Sequence, residues 1–599
     1  MGAAMAGPPQ KSKDFRGSSK RLMRRLAPRK GLVVATFSCA VLGVALGVNG
    51  PRLLGEATNL IYAGTRGGSG PGIDFGALAR LLRLALVLYA GASLATWLQS
   101  SLLNHLVQGT IRQLRRDAQA KLTRLPLAYF DARPLGEVLS RVTNDIDNVA
   151  TSLQQALGQM VTAMLTVIGV MVMLVWISPL LALVTLATVP LSVIATARIG
   201  KRAQGRFVAQ WKHVGTLNGQ VEEAFTGHSL VRVLGRAAEV QARFEATNRE
   251  LFLASQRAQF LSSLMMPVVM FVGNLTYVLI AVVGGLRVAA GAMRLGGVQA
   301  FIQYSRQFTQ QLGQLASLSN VLQSGVASAE RVFELLDAPE ESADAAIRVA
   351  APRVGRVVFE HVKFRYQPDV PLIEDLSLVV EPGQTIAIVG PTGAGKTTLV
   401  NLLMRFYELD GGRILLDGVD IATQPRGWVR DQIGMVLQDT WLFAGSIREN
   451  IAYGDPAASA DALLEAAKST YVDRFARALP AGYDTPVTDD ADNLSAGEQQ
   501  LITIARAALA SPAILVLDEA TSSVDTRTEV LVQQAMAALR EHRTSFVIAH
   551  RLSTIRDADT ILVMAKGTIV EQGSHDQLVA AKGLYSTLYE AQFAGSAAP

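Results

Sequence analysis

The stretch "GPTGAGKTTLVNLLMRF", residues 390–406, decides the fold of the half of the chain in which it lies. Its glycines, lysine and threonine have the spacing G-x-x-x-x-G-K-[ST]. The aliphatic run "TIAIV" directly before it predicts a buried strand, and "TTLVNLLM" inside it predicts an amphipathic helix. Strand, glycine-rich loop and helix in this order predict an α/β domain whose loop binds phosphate. The fixed positions of the pattern are Gly390, Gly395, Lys396 and Thr397.

Each part of this loop has a physical task in phosphate binding. Glycines allow backbone N–H groups to close around phosphate oxygens, and the N-terminus of the following helix adds partial positive charge. Lys396 is expected to reach the outer phosphates, and the hydroxyl of Thr397 can ligate Mg²⁺. A glycine turn without a ligand is the alternative, and the flanking strand and helix argue against it. The predicted loop comprises Gly390, Pro391, Thr392, Gly393, Ala394, Gly395, Lys396, Thr397 and Thr398.

A second element of the same chemistry is "AILVLDEATSSVD", residues 513–525. Its aliphatic run predicts a central parallel strand. Asp518 and Glu519 follow at the carboxyl end of that strand, where ligands bind in α/β sheets. We expect Asp518 to hold Mg²⁺ and Glu519 to polarise the attacking water. Two solvent carboxylates would be an ordinary explanation elsewhere, but beside a phosphate loop they predict ATP hydrolysis.

Five further motifs complete a pattern that resembles the nucleotide-binding domain of ABC transporters: "VKFRYQ", "MVLQDTWLF", "LSAGE", "SSVD" and "VIAHRLSTI". The resemblance implies that Tyr366 stacks on adenine and that Gln438 contacts Mg²⁺. It also implies that Asp525 lies in the D-loop and that His550 meets the γ-phosphate, although a histidine after a strand is otherwise usually structural. ATP and Mg²⁺ are therefore the expected cofactors, and Glu519 and His550 the expected catalytic residues.

The loop "LSAGE", residues 494–498, departs from the LSGGQ pattern of that family. The resemblance implies that Ser495 and Gly497 contact the ATP held by a second subunit. Ala496 replaces a glycine, which matters only if the backbone requires positive φ there. Glu498 replaces a glutamine and brings an anion towards a triphosphate, at a cost on the order of 2–4 kcal/mol for charges about 4–8 Å apart.

A second departure lies just upstream, where "TDDADN", residues 488–493, carries three aspartates. The family usually has a Glu-Arg-Gly-like stretch there. Both departures fall on the loop that serves the partner's site, whereas the chain's own ATP-holding motifs match. We therefore predict a heterodimer with a different homologous chain, in which one site hydrolyses ATP slowly. A homodimer that tolerates both changes is the alternative that the sequence leaves open.

The composition predicts a membrane half joined to a soluble half. The chain has 599 residues, of which 50% are hydrophobic and 18% charged, and its mean hydropathy is +0.27. Residues 11–30 hold nine Lys or Arg and one acid directly before an apolar run, which indicates a cytoplasmic anchor rather than a cleaved signal peptide. The single cysteine, Cys39, excludes an internal disulfide and a cysteine zinc cluster.

Six transmembrane helices are predicted from stretches that are long enough to cross a bilayer, which takes roughly 20 residues. The third run is long enough for two spans, with Pro179 in "WISPL" able to start the second of them. The sixth stretch is the most polar and includes Arg306, which either lines a wet cavity or extends to a span end. The stretches are residues 31–51, 84–111, two within 149–197, 258–286 and 296–325.

The basic residues between the spans predict the orientation. The segments 112–148 and 198–257 are rich in Arg and Lys, as is the N-terminus, so all three are expected in the cytoplasm of a multi-pass plasma-membrane protein. We interpret the two segments as long helical extensions of the spans, because "VEEAFTGHSLVRVLGR" has the apolar spacing of a packed face. Floppy linkers are the alternative. Residues 62–75 are expected to form a short flexible outer loop.

The stretch "YFDARPLGEVLSRVTNDIDNV", residues 129–149, resembles the first cytoplasmic loop of the six-span exporters called type IV. The resemblance covers nearly the whole chain after residue 20 and implies a half-transporter with an α-helical membrane domain and an α/β P-loop nucleotide-binding domain. The expected parts are a basic N-terminal segment (1–30), a six-span domain (31–335), a linker (336–353), the nucleotide-binding domain (354–592) and a tail (593–599).

The predicted function is ATP-driven movement of a hydrophobic or amphipathic compound across the plasma membrane by alternating access. An importer of lipid-like or siderophore-like ligands remains open, because six spans do not reveal direction. An ATP-gated regulatory subunit is a third possibility, against which Glu519 argues. Nucleic acid is not an expected partner, because the basic clusters flank membrane spans. Candidate cavity residues Met265, Met266 and Phe271 are equally well explained as facing lipid or packing between helices.

Overall fold

The computed structural model describes residues 12–66, 72–344, 353–438, 440–488, 493–518, 526–548 and 555–593. The chain divides into two compact units. The first comprises Met1–Leu125 and Arg133–Pro339, and the second comprises Pro126–Ala132 and Glu340–Pro599. A seven-residue segment of the N-terminal half is therefore part of the second unit.

The first unit is helical throughout its described residues, apart from short turns. A π-helical segment, Ala156–Met160, lies between the helices Asn144–Gln155 and Val161–Ile177. The helices of the N-terminal half are α1 (Phe15–Leu26), α2 (Lys30–Arg66), α3 (Phe75–Leu122), α4 (Leu127–Asp131, in the second unit), α5 (Leu135–Val142), α6 (Asn144–Gln155), α7 (Val161–Ile177), α8 (Pro179–Thr226), α9 (His228–Val233), α10 (Ala237–Ser263), α11 (Met265–Ala289) and α12 (Leu295–Asp337).

Five helical stretches of the described chain are long and apolar enough to cross a membrane: Phe15–Thr65, Phe75–Leu122, Leu135–Ile177, Pro179–Thr226 and Ala237–Ala289. Large apolar side chains on their outer faces are exposed, as expected for helices that satisfy their backbone internally and present side chains to lipid. Helix α12 is 43 residues long but too polar to meet the same criterion. The sixth span therefore stays a prediction.

The long charged segments at 112–148 and 198–257 are largely helical extensions of the apolar stretches, which confirms that interpretation. Helix α3 has 48 residues and α8 has 48 residues, so each is about 70 Å long against a hydrocarbon core of about 30 Å. Pro179 begins α8 as predicted, with Ser178 as its N-cap. The outer loop expected at 62–75 is shorter than predicted, because α2 continues to Arg66 and tolerates Gly64 in its last turns; residues 67–71 lie outside the described chain.

The second unit is built on two larger sheets with helices packed around them. Its strands are β1 (Val357–Phe364), β2 (Ile373–Val380), β3 (Thr385–Val389), β4 (Gly411–Leu416), β5 (Val419–Asp420), β6 (Ile433–Val436), β7 (Gly445–Ser446), β8 (Pro486–Val487), β9 (Ile514–Asp518), β10 (Thr544–Ile548), β11 (Thr560–Ala565) and β12 (Thr568–Gly573).

The helices of this unit are mostly short. They are α13 (Lys396–Leu403), α14 (Arg426–Arg430), α15 (Ile447–Ala452), α16 (Ala460–Ser469), α17 (Val472–Ala476), α18 (Ala496–Ala510), α19 (Thr526–Arg540), α20 (His575–Ala581) and α21 (Leu584–Phe593).

The six-stranded sheet has the order β12-β11-β3-β10-β9-β6 and is parallel except for β12. The second sheet is antiparallel with the order β2-β1-β4-β5. Because the four strands β3, β10, β9 and β6 run in the same direction, their carboxyl ends meet at one edge. The phosphate loop, Asp518 and Gln438 all follow strands of this set, which predicts that they share one site.

Two hydrophobic cores lie on the opposite faces of the six-stranded sheet. Ala387 and Val389 of β3 belong to one core, and Ile386 and Ile388 of the same strand belong to the other. Side chains of a strand alternate between faces, so a fully apolar strand serves both. The run "TIAIV" has that pattern because helices cover one face of the sheet, while α13 and the antiparallel sheet cover the other.

Candidate active site

The loop after β3 has the backbone of a phosphate cradle. Gly390, Gly393 and Gly395 have φ values of +154°, +81° and +97°. A Cβ on Gly390 would lie 2.2 Å from the carbonyl oxygen of Met564, so only glycine fits that position. Gly395 is the N-cap of α13, whose first residue is Lys396. The helix N-terminus and its free N–H groups therefore face the loop.

Lys396 is folded back over this loop. Its Nζ atom donates to the carbonyl oxygens of Gly390 at 2.8 Å and Pro391 at 3.1 Å. Burial lowers the pKa of Lys396 below its ordinary value, and the negative charge of Asp518 opposes that change. The ammonium group thus lies in the field of Asp518, within reach of an anion placed in the loop. This arrangement fits a phosphate group.

Asp518 and Gln438 lie at the same sheet edge as the loop. Asp518 is the last residue of β9 and pairs with Ile548 of β10, whose neighbour on the other side is β3. The backbone of Asp518 is therefore two strand spacings, about 10 Å, from strand β3. Gln438 follows β6 by two residues and is exposed. Thr397, in the first turn of α13, is also exposed. These oxygen atoms suit Mg²⁺, which prefers carboxylate, hydroxyl and amide oxygens.

Three predicted residues lie outside the described part of the chain: Glu519, Asp525 and His550. Glu519 directly follows the last residue of β9, and His550 follows the last residue of β10 by two positions. Their roles remain predictions from the sequence.

Tyr366 belongs to an aromatic cluster beside the loop. Its hydroxyl donates to Thr398 Oγ1 at 3.2 Å, which ties the ring to the phosphate-loop helix. The ring meets Phe364 and Tyr407 edge to face, at centroid distances of 4.8 and 5.0 Å. The side chain is 47% exposed, so the ring retains a free surface on which a base can stack.

The sequence reasoning missed Tyr407 and its partner Asp131. The Tyr407 hydroxyl is hydrogen-bonded to a carboxylate oxygen of Asp131, which ends the short helix α4. Burial, together with this carboxylate, raises the pKa of Tyr407 well above its usual value. Asp131 lies within "YFDARP", which resembles the family's first cytoplasmic loop. Nothing in that stretch indicates which tyrosine of the second unit Asp131 would contact.

The loop "LSAGE" forms the start of α18, and Glu498 is part of its cap. Ser495 Oγ accepts a hydrogen bond from the Glu498 N–H at 3.4 Å. The Glu498 carboxylate accepts from both the N–H and the hydroxyl of Ser495, each at 2.8 Å. This reciprocal pair is a capping box, which satisfies orphan donors at a helix start.

Ala496 causes no backbone strain. It is the first residue of α18 and has helical backbone, so no positive φ is required and alanine replaces glycine without cost. Gly497 is buried in the same first turn, and Ser495 is exposed. Of the upstream acidic stretch, only Thr488 and Asn493 are described, and Asn493 Nδ2 donates to the carbonyl of Pro486 at 2.8 Å. The three aspartates lie outside the described residues.

A helical membrane unit joined to an α/β unit with a phosphate loop defines an ATP-driven membrane transporter. Residues 33–312 match the family model described as "ABC transporter transmembrane region", and residues 373–522 match that described as "ABC transporter". The chain belongs to the ABC transporter family. It is accordingly a membrane protein that hydrolyses ATP to drive transport, of the exporter type.

Similar proteins cover the whole length of the chain. A "Fatty acid ABC transporter ATP-binding/permease protein" of Mycobacterium tuberculosis is 53% identical over 97% of this chain and 98% of its own length. An "ATP-dependent lipid A-core flippase" of Syntrophus aciditrophicus is 32% identical over 96% of this chain and 94% of its own. A solved structure of a bacterial Atm1-family ABC exporter with ATP bound has a TM-score of 0.74 at 30% identity, and covers 95% of this chain and 99% of that one.

Proposed function

We propose that the chain is one half of an ATP-driven transporter that moves a fatty-acid-like amphiphile out across the plasma membrane. The observation that carries this proposal is the 53% identity, over nearly the full length, to a mycobacterial protein named as a fatty acid transporter. The flippase relative handles another amphipathic molecule, which supports the same substrate class. The N-terminus and the nucleotide-binding domain would lie in the cytoplasm, where the basic segments between spans belong.

The site residues would divide the work of holding and hydrolysing ATP. Tyr366 would stack on adenine, and residues 390–398 would surround the phosphates through backbone N–H groups, with Lys396 exchanging its two carbonyl contacts for phosphate oxygens. Thr397, Gln438 and Asp518 would hold Mg²⁺, which supplies charge neutralisation when bound. Glu519 would orient the attacking water, and His550 would contact the γ-phosphate.

ATP would act as a clamp between two nucleotide-binding domains. Ser495 and Gly497 of one chain would contact the ATP held by the other, so that the closed dimer binds ATP more tightly than the open one. Only such a difference in affinity can shift a conformational equilibrium. Hydrolysis would remove the difference and allow the membrane helices to return.

The partner would be a different homologous chain with an LSGGQ loop. Glu498 supports this proposal because its carboxylate is fixed at the start of α18, beside the serine that would meet the partner's ATP. One like charge there opposes a triphosphate, whereas the chain's own phosphate loop has no such departure. The second site of the pair would consequently hydrolyse slowly.

The transport proposal is tested with inside-out membrane vesicles that contain the chain together with a homologous LSGGQ chain from the same genome. ATP should drive accumulation of radiolabelled oleate, and Glu519→Gln should abolish accumulation while leaving ATP binding intact. Accumulation that is equal without ATP, or that survives Glu519→Gln, would contradict the proposal. Accumulation only in right-side-out vesicles loaded with ATP would mean uptake instead of export.

A further inference from the structure

The membrane unit contains a cavity that the ATP chemistry does not use. Helices α2, α7 and α12 and the turn between α11 and α12 line it, and its volume is about 490 Å³. That volume is within the range of about 300–1,000 Å³ that is usual for small-molecule sites. Among its lining residues are Arg52, Glu56, Trp176, Met293 and Arg294.

The lining residues of the cavity are at the ends of the apolar stretches, as expected near a membrane boundary. Arg52 is 22 residues beyond Lys30, the first residue of α2, which corresponds to about 33 Å of helix against a hydrocarbon core of about 30 Å. Ile177 ends α7 and Leu295 begins α12, so two of the contributing helices end at this level, whereas α2 continues to Arg66. The indole of Trp176 is 63% exposed, as is common for tryptophan at a membrane boundary.

The charges in the cavity do not balance. Its ionisable lining residues are two arginines and one glutamate, Arg52, Arg294 and Glu56. Arg52 Nε lies 3.1 Å from a carboxylate oxygen of Glu56, and its guanidinium lies 4.6 Å from the ring centroid of Trp176. These contacts hold Arg52 in one orientation. Since Glu56 offsets one guanidinium, the cavity has one surplus positive charge.

A tight helix crossing fixes the floor of the cavity. A Cβ on Gly296 would lie 1.8 Å from the carbonyl oxygen of Gly55, so α12 and α2 touch through their backbones. Asn59 Oδ1 also accepts a hydrogen bond from the Gly296 N–H at 2.7 Å. Arg52 lies on α2 and Arg294 is the N-cap of α12, so both stand close to this crossing, which favours a preorganised site.

We propose that this cavity binds a single-chain amphiphile with one carboxylate, such as a long-chain fatty acid. The carboxylate of the ligand pairs mainly with Arg294, because arginine and carboxylate form strong paired hydrogen bonds. It also competes with Glu56 for Arg52. Trp176 and Met293 cover the first methylene groups, and the rest of the chain extends into lipid. The inference rests on the proposed function for the choice of ligand, but binding is measurable without transport.

Binding is tested on the full-length chain in nanodiscs of neutral phosphatidylcholine, with oleate and, as the matched uncharged probe, oleyl alcohol. Arg294→Gln and Arg52→Gln should each weaken oleate binding roughly tenfold, the loss of one charge-assisted contact. Glu56→Gln should tighten it, because it removes the competing carboxylate. Arg80→Gln, an exposed arginine on α3 outside the cavity lining, is the control and should change nothing.

Location is tested with a dibrominated stearate, whose bromines quench nearby tryptophan fluorescence. Trp176 is one of five tryptophans, and the quenching that disappears in Trp176→Phe reports the cavity. Equal binding of oleate and oleyl alcohol, weaker binding in Glu56→Gln, or quenching unchanged in Trp176→Phe would each overturn the proposal. Displacement of oleate by phosphatidylglycerol at equal mole fraction would also overturn it, since the cavity would then select any anionic lipid.

These outcomes separate the site from the transport proposal. Oleate binding that shows the expected arginine and glutamate dependence, without ATP-driven oleate movement, supports the site and contradicts the proposed cargo. If both arginine variants still bind and move oleate normally, oleate is supported as the cargo and the proposed binding site is overturned.

Discussion

At the scale of single residues, Glu498 has two consequences that act in opposite directions. Its carboxylate completes the cap of α18 through Ser495, which stabilises the loop. In the proposed dimer, the same carboxylate would place a negative charge near the partner's ATP, where the LSGGQ pattern has a neutral amide. Helices α15 and α20 begin with the same box, Ser446 with Glu449 and Ser574 with Gln577, so glutamate and glutamine cap equally in this chain. The charge can therefore be removed without loss of the cap.

Glu498→Gln should raise ATP turnover of the purified chain in lipid about 5- to 30-fold, since 1–2 kcal/mol of repulsion remains after screening. Thermal stability should stay the same, because glutamine preserves the capping box. Glu449→Gln removes the charge of an equivalent box away from the signature loop and should leave turnover unchanged. Vigorous turnover in the unmodified chain alone, without an effect of Glu498→Gln, would favour the homodimer.

At the scale of elements, the crossing of α2 and α12 depends on two glycines. A Cβ on Gly55 would lie 2.4 Å from the Gly296 carbonyl oxygen, and the reverse substitution is still tighter. Both obstacles are backbone atoms, which cannot move without shifting a whole helix. Two long helices thus approach as closely as small residues allow in membrane proteins.

Gly296→Ala should destabilise the membrane unit by about 1–3 kcal/mol, the usual cost of overpacking. The midpoint of thermal unfolding in detergent measures the effect. Gly313→Ala, on the same helix, is the control, because a Cβ there meets nothing within 4 Å. That control should be neutral or stabilising by about 0.5–1 kcal/mol, the helix propensity difference. Equal midpoints for the two variants would show that the crossing relaxes freely.

At the scale of the whole molecule, α4 differs from the other helices of the N-terminal half. Residues 126–132 belong to the second unit, yet both chain neighbours of the segment belong to the first. The Tyr407 hydroxyl donates a hydrogen bond to Asp131, and the Tyr407 ring contacts the Tyr366 ring edge to face. The chain therefore joins α4 directly to α3 and α5, while the hydrogen bond of Asp131 joins it to Tyr407 within the second unit.

Asp131→Ala should lower the oleate moved per ATP hydrolysed severalfold, because it removes the hydrogen bond that holds α4 against Tyr407. Basal hydrolysis should be retained, since no atom of Asp131 lies in the phosphate loop. Parallel assays of transport and ATP turnover in the same vesicles give the ratio. Glu374→Ala, which removes an exposed carboxylate of β2, should leave the ratio intact. A proportional loss of both activities in Asp131→Ala would instead indicate damage to the nucleotide site.

The sequence predicted best where the signal was local. The phosphate loop, the helix start at Pro179 and the long helical extensions each follow from residues that are neighbours in the chain. The interactions that it did not predict join distant segments: Tyr407 with Asp131, and Gly55 with Gly296. Hydropathy does not mark α12 as a span, because the helix is too polar for that criterion, so the sixth span stays a prediction. Glu498 was foreseen as a charge but not as a cap.

The glycine pair between α2 and α12 also has an evolutionary consequence. Neither position can accept a side chain while the other backbone stays in place, so a substitution at either site requires the two helices to move apart, whichever residue occupies the other site. Arg52 and Arg294 stand within a turn of that pair, and their separation is inherited with it. Relatives that have a larger residue in place of either glycine should have a wider cavity between Arg52 and Arg294. They should therefore differ from this chain in the ligands that they bind.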